Sequence, residues 1–391
     1  MKIAPYYQRL LEKALQAVNS FEPITYVGMF DSGTDYLFTL FIPLLVSELE
    51  KDTYSVAVDL SGLSTKEEIE SEVSFALSEI DSEFQQLGDF AQVTRNIRKF
   101  AEKKRLILVI YLGQDGGTAN ELFIFLNRLR NLLGWRFSYI VFTSCKLFLQ
   151  QKNQNQLLNK VLKRNIETVQ LLEEQDARVV LSNYEERYQK KLSEIDSKIV
   201  LTNSSGNPGL IKALYLLTID RDVKNKMDIY DSRLSFRLEG IVSDLPVEFH
   251  QKIAGTIKPS GDAFELQLLR YGYLSSHGNK LVPFTPLLST YLEMRKRHPL
   301  NQQASIGTHS LLLNLTISQR KVLEYMELHP GELVTKDDVA KVLWGESWAD
   351  RYSDWAIDQL ISTLRDKMVK IKHKGKIVTK KGEGIIFIQG S

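Results

Sequence analysis

Two apolar runs, RLILVIYL at 105–112 and FSYIVFTS at 137–144, constrain this chain more than any other feature. Neither alternates polar with apolar side chains, so neither can keep one face in water. Each reads as a strand covered on both faces, as in the interior of a parallel sheet. Parallel neighbours need crossover connections, usually helical. The sequence supplies them: ITYVG at 24–28 and YSVAVDL at 54–60 read as further strands, and 36–49, 64–84 and 119–133 read as helices between strands. The helix at 64–84 opens on Ser/Thr caps with Glu67 and Glu68 in its first turn, where carboxylates complement free amides. A short amphipathic leader places Leu10, Leu11, Leu15 and Val18 on one face. The expectation for residues 1–150 is a three-layer α/β domain with helices on both sides of a parallel sheet.

Beyond this the pattern changes. Residues 151–231 read as polar and helical, with Gly206-Asn207-Pro208 opening a helix at 210–218. Residues 232–297 hold short helices and then LLRYGYLSSHGNKLVPFTPLLSTYL, in which Gly272 and His277-Gly278-Asn279 mark turns around two short strands. Helices followed by such a hairpin make a small winged helix. Residues 298–310 read as a linker and 311–391 as a last compact module.

Composition excludes several functions. Cys145 is the single cysteine among 391 residues, which removes intrachain disulfides and cysteine-based zinc sites and fits a reducing, cytoplasmic setting. The six histidines share no metal-ligand spacing, so no metal is expected. Arg9 and Glu12 break what would be the apolar core of a signal peptide, and the apolar run at 36–46 is interrupted by Pro43 and too short to span a bilayer. A net charge of +2 gives no global attraction to nucleic acid, so the distribution of charge has to carry that argument.

Between the first strand and the first helix stands Gly28-Met29-Phe30-Asp31-Ser32-Gly33-Thr34-Asp35. Its glycines keep the spacing of a phosphate-binding loop, G-x-x-x-x-G-K-[ST], but Thr34 stands for the lysine and Asp35 for the hydroxyl residue. The strand at 105–112 ends on Tyr111 and Leu112 where magnesium-binding acids belong, and Asp115 comes only later. The expectation is therefore a chain that is not an enzyme: Gly28, Gly33 and Thr34 are at most the remnant of a nucleotide site.

Strand, degenerate loop, YSVAVDLSG, LILVI, FSYIVFTS and SSGNPGLIKAL together resemble the STAND branch of the AAA+ ATPases over residues 5–295. The resemblance implies a helical lid over 151–231 carrying the Gly-x-Pro motif at Gly206-Asn207-Pro208, then a winged helix. It implies an adenine pocket beside Pro208 with residual ADP or ATP binding, though no cofactor is expected.

The C-terminal segment resembles the OmpR/PhoB-type winged helix-turn-helix domain. The matching pieces are Leu315-Thr316, His329-Pro330-Gly331, Val334-Thr335, Leu343-Trp344-Gly345, Ile357-Asp358, Ile361-Ser362, Leu364-Arg365 with Lys367, and the wing Thr379-Lys380-Lys381-Gly382-Glu383-Gly384. This implies a recognition helix over 353–370 in a DNA major groove and a hairpin against the minor groove. The residues agree in part. Trp344, Ile357, Leu360, Ile361 and Leu364 form an apolar packing face, and from Lys367 onward seven lysines face one acid, Glu383. Trp355, Leu360 and Thr363 depart from the family's cationic outer face, and Lys381 takes the place of the wing arginine. The expected DNA contacts are Gln359, Ser362, Arg365, Lys367, Lys380 and Lys381, dominated by the backbone. The functional expectation is a transcriptional regulator that binds double-stranded DNA, with the ATPase-like part as scaffold, homo-oligomer surface or protein-partner sensor. A nucleotide switch and a protein-interaction adaptor remain as alternatives.

Overall fold

The computed structural model describes residues 2–49, 52–61, 63, 65–78, 80, 90–102, 104–113, 119–149, 161–162, 165–220, 229, 231–250, 253, 257–297, 315, 317–344, 354–370, 373–380 and 383–389. The chain divides into two units, Met1–Arg297 and His298–Ser391. The expected linker at 298–310 lies outside the described residues.

The first unit is built on the two apolar runs. They form β3 (Arg105–Gly113) and β4 (Phe137–Ser144), and every residue of β4 is buried. With β1 (Ile24–Gly28), β2 (Thr53–Asp59) and β5 (Ile166–Val169) they make a sheet of order β2-β3-β4-β1-β5, parallel at every pairing. Ile107, Leu108 and Ile110 are fully buried, and each such side chain contributes roughly 1.5–3 kcal/mol relative to exposure. The helices α1 (Pro5–Asn19), α2 (Thr34–Glu48), α3 (Lys66–Ser78), α4 (Phe90–Phe100) and α5 (Ala119–Leu133) accompany the sheet. α1 buries Tyr7, Leu10, Leu11, Ala14, Ala17 and Val18, and Tyr26 Oη on β1 donates to Leu10 O at 2.7 Å. α3 caps itself through Thr65, whose Oγ1 accepts from Glu68 N while Glu68 Oε2 accepts from Thr65 N.

The strand β5 was not anticipated: the stretch after residue 146 shows no buried run because β5 is a four-residue edge strand with polar Glu167 and Thr168 inside it.

After β5 come α6 (Glu174–Arg187), α7 (Glu194–Ser204) and α8 (Pro208–Ile219), then α9 (Ser232–Ser243) and α10 (Ala263–Arg270). Their starts follow local rules: Ser193, Asn207, Asp231 and Asp262 cap α7, α8, α9 and α10, and Pro208 occupies the first turn of α8. The hairpin β6 (Leu274–His277) and β7 (Lys280–Pro283) turns at Gly278, and α11 (Pro286–Arg297) follows.

The second unit packs α12 (Ile317–Leu328), α13 (Lys336–Trp344) and α14 (Asp354–Lys370) with an antiparallel sheet of order β8-β10-β9, made from β8 (Leu333–Val334), β9 (Lys376–Lys380) and β10 (Gly384–Ile388). Leu315, Leu323, Met326, Leu364 and Phe387 are among its core residues.

Candidate functional site

Two places gather the residues singled out by the sequence. The first is the face made by α14 and the β9–β10 hairpin. On α14, Ile357, Ile361, Leu364 and Met368 fall at helical spacing and are buried in the core of this unit. Ser362 lies on the exposed side, and Arg365 and Lys367 are partly buried. The side chain of Gln359 lies outside the described residues, as do those of Trp344 and Trp355.

The two remaining departures from a cationic outer face have structural reasons. Leu360 packs against the core, and Thr363 Oγ1 donates to Leu360 O and accepts from Gln319 Nε2, both at 3.0 Å. These positions join α14 to α12.

The hairpin pairs Lys380 with Gly384 and Lys376 with Ile388, and both lysines are exposed. Lys381 lies outside the described residues. Gly384 has φ +151 and sits so close to β8 that a Cβ would come 2.4 Å from Val334 O, which leaves glycine as the residue that fits. Ile385 turns inward and is buried. Arg365 does not extend from the helix as a free cation. Its Nε donates to Ile377 O at 3.1 Å and its Nη2 donates to Thr379 Oγ1. Lys336 at the start of α13 pairs with Asp358 at 2.8 Å. At the base of the hairpin His373 is hydrogen-bonded to Glu327 at 3.1 Å, and that acid raises its pKa above the usual imidazole value against the opposing effect of burial.

The second place is the loop between β1 and α2. Asp31 (φ +58) and Gly33 (φ +101) adopt left-handed conformations, and a Cβ on Gly33 would lie 2.2 Å from Tyr7 Oη. Gly28, Gly33 and Thr34 are buried together here, and Pro208 reaches the same place through its neighbours: Gly209 N donates to Asp31 O at 3.3 Å and Asn207 Nδ2 to Phe30 O at 3.1 Å. Tyr7 Oη donates to Ser32 O at 3.0 Å.

Two residues that the sequence did not single out complete the arrangement. Arg237 on α9 pairs with Asp31 at 2.5 Å, with both side chains largely buried. Asp244, just past α9 and fully buried, accepts from Phe30 N at 2.7 Å, from Ser144 Oγ at 2.7 Å and from Tyr273 Oη at 2.8 Å. Burial raises its pKa to about 6, in spite of the opposing hydrogen bonds from Ser144, Tyr273 and the Phe30 amide. Burial and then the neighbouring Asp244 charge push the Cys145 thiol well above its ordinary value, which keeps it a packing group rather than a nucleophile. Asp31, the Phe30 amide and the Ser32 carbonyl have protein partners, whereas the buried Ser32 Oγ has none among the described residues; with Thr34 in place of the lysine, no step through a nucleotide is derived.

Comparisons with known proteins fit this geometry. The family model described as transcriptional regulatory protein, C terminal, matches residues 310–387. Among solved structures, a Walker-type ATPase of Pyrococcus abyssi is 14% identical, with 73% of this chain and 95% of that chain covered at a TM-score of 0.50. The ORC2 protein of Aeropyrum pernix is 10% identical over 76% of this chain and 97% of its own, at a TM-score of 0.41. No curated protein matches the chain.

The second unit is thus similar to the DNA-binding module of OmpR/PhoB-type regulators, and the parallel sheet of the first unit has the fold of a P-loop ATPase. Among the described residues no helix is long and apolar enough to cross a membrane.

One expectation is corrected. The chain was expected not to be an enzyme, but a solved structure that shares its fold is an ATPase. Thr34 and the strand end at Leu112 remain departures from the usual motif and do not by themselves show inactivity. Arg237 brings positive charge to this loop from a helix two hundred residues away.

Proposed function

We propose that this chain is a transcriptional regulator that binds double-stranded DNA through its C-terminal unit, with the ATPase-like unit as scaffold or sensor. The observation that carries this is the family match over 310–387 on a unit whose helix α14 stands beside a hairpin bearing exposed Lys376 and Lys380. Gln359 and Ser362 are assigned to the major groove, and Lys367, Lys380 and Lys381 to phosphates or the minor groove. In this reading the α/β domain runs past the expected boundary at 150 to take in β5 at Ile166–Val169, the lid follows to 231, 232–297 is an internal winged helix and 298–310 the linker to 311–391. The hairpin β6–β7 after α10 supports the internal winged helix, and the Asn207–Phe30 contact supports a lid that reaches the loop.

The test is fluorescence anisotropy of the full chain with a random-sequence duplex across a salt series. Binding whose log K falls linearly with log salt is expected. Absence of binding at low ionic strength overturns the reading.

A further inference from the structure

The guanidinium of Arg365 ties together the two elements that flank the candidate DNA face. Its root is fixed, because the preceding Leu364 is fully buried in the core. Its acceptors, Ile377 O and Thr379 Oγ1, are both on β9, two residues apart. A guanidinium presents Nε–H and Nη2–H side by side on one planar edge, so it can satisfy two such acceptors at once, whereas an ammonium on a flexible stem cannot reproduce the fork. α14 and the hairpin are also two walls of one cleft of about 570 Å³, with Val339, Ile361 and Ile385 in its floor and Lys336, Lys380 and Glu383 around it. Arg365 and Thr379 both line that cleft.

We propose that Arg365 is a positioning residue: it braces the wing against the recognition helix, fixes the cleft between them, and thereby places Lys380, rather than touching a base itself. The brace is a property of the free protein; its effect on DNA rests on the function proposed above. Two consequences separate a brace from a DNA contact. Loss of the fork should loosen the hairpin in the absence of any ligand. It should also remove the benefit of Lys380, so that losses at the two positions overlap rather than multiply.

The experiment uses the full chain with Arg365→Lys, which keeps the charge, Thr379→Val, which keeps the branched shape but removes the acceptor, Lys380→Ala, and the pair Arg365→Lys/Lys380→Ala. Amide hydrogen exchange without DNA is expected to accelerate across residues 376–380 by about tenfold or more in Arg365→Lys, the scale of one missing hydrogen bond to a charged group, and by less in Thr379→Val. With a random duplex, Arg365→Lys should weaken binding although its charge is unchanged, and the double variant should bind about as Lys380→Ala does. Wild-type exchange in the hairpin of both variants overturns the proposal. So does a double variant whose loss is the product of the two single losses. Failure of every variant and of the wild type to bind duplex overturns the proposed function instead, and the exchange measurement still decides whether the brace exists.

Discussion

The Asp244 carboxylate accepts the backbone N–H of Phe30 across 2.7 Å. Residues more than two hundred positions apart thereby hold the β1–α2 loop, while the same carboxylate takes Ser144 Oγ at the end of β4 and Tyr273 Oη beside β6. A buried carboxylate with several donors is costly to leave half-satisfied. Asn at this position would turn an amide N–H toward donors. Asp244→Asn is expected to destabilise the chain by about 2–4 kcal/mol, read from the urea midpoint of the first unfolding transition.

The same group gives a pH dependence with a defined sign. Its pKa rises from 3.8 to about 6 on folding, so between those values the folded state binds more protons than the unfolded one. Stability from this site is therefore fully present below pH 3.8 and lost as pH rises through about 6. The difference in unfolding free energy between wild type and Asp244→Asn should change across that window and be flat above pH 7, as checked by denaturation at half-unit pH steps.

Two glycines with positive φ separate strain from collision. Gly33→Ala combines a left-handed backbone with a Cβ 2.2 Å from Tyr7 Oη, whereas Gly278→Ala at φ +59 meets nothing within 4 Å. The expected losses are about 1 kcal/mol at Gly278 and about 2–4 kcal/mol at Gly33, compared by chemical denaturation of the full chain.

At the hairpin, Lys380→Ala with Lys381→Ala should weaken binding to unrelated duplexes equally and flatten the log K against log salt slope by about 2, near 0.9 for each phosphate no longer neutralised. Sequence-dependent losses at constant slope would reassign these lysines from phosphates to base edges.

Glu327→Gln should lower the pKa of His373, because the carboxylate is the chief cause of its rise. The stability supplied by the charged pair is complete below the unfolded imidazole pKa of 6.5 and disappears as pH climbs through the folded one. Imidazole proton shifts followed by NMR across pH 5–9 give the comparison directly.

Strands buried on both faces were legible because that burial leaves an unbroken apolar imprint: the runs at 105–112 and 137–144 became β3 and β4. The edge strand β5 left no such imprint, since three of its four residues are only half-buried and two of these, Glu167 and Thr168, are polar. Glycine spacing located the loop at Gly28 and Gly33, but its partners Arg237 and Asp244 carry no local pattern and are brought there by helix packing alone. The amphipathic register of α14 was readable from Ile357, Ile361 and Leu364. Where Arg365 turns was not, because helix periodicity does not record how a later hairpin folds back.

The late arrival of β5 has a consequence for cutting this chain. β1 lies between β4 and β5, and β5 comes twenty-one residues after β4 ends. A fragment that stops before residue 165 strips β1 of that neighbour and leaves its row of peptide groups facing water, an invitation to recruit a strand from another molecule. Truncation of the first unit should therefore end beyond Val169, or the excised piece will self-associate for reasons unrelated to any native assembly.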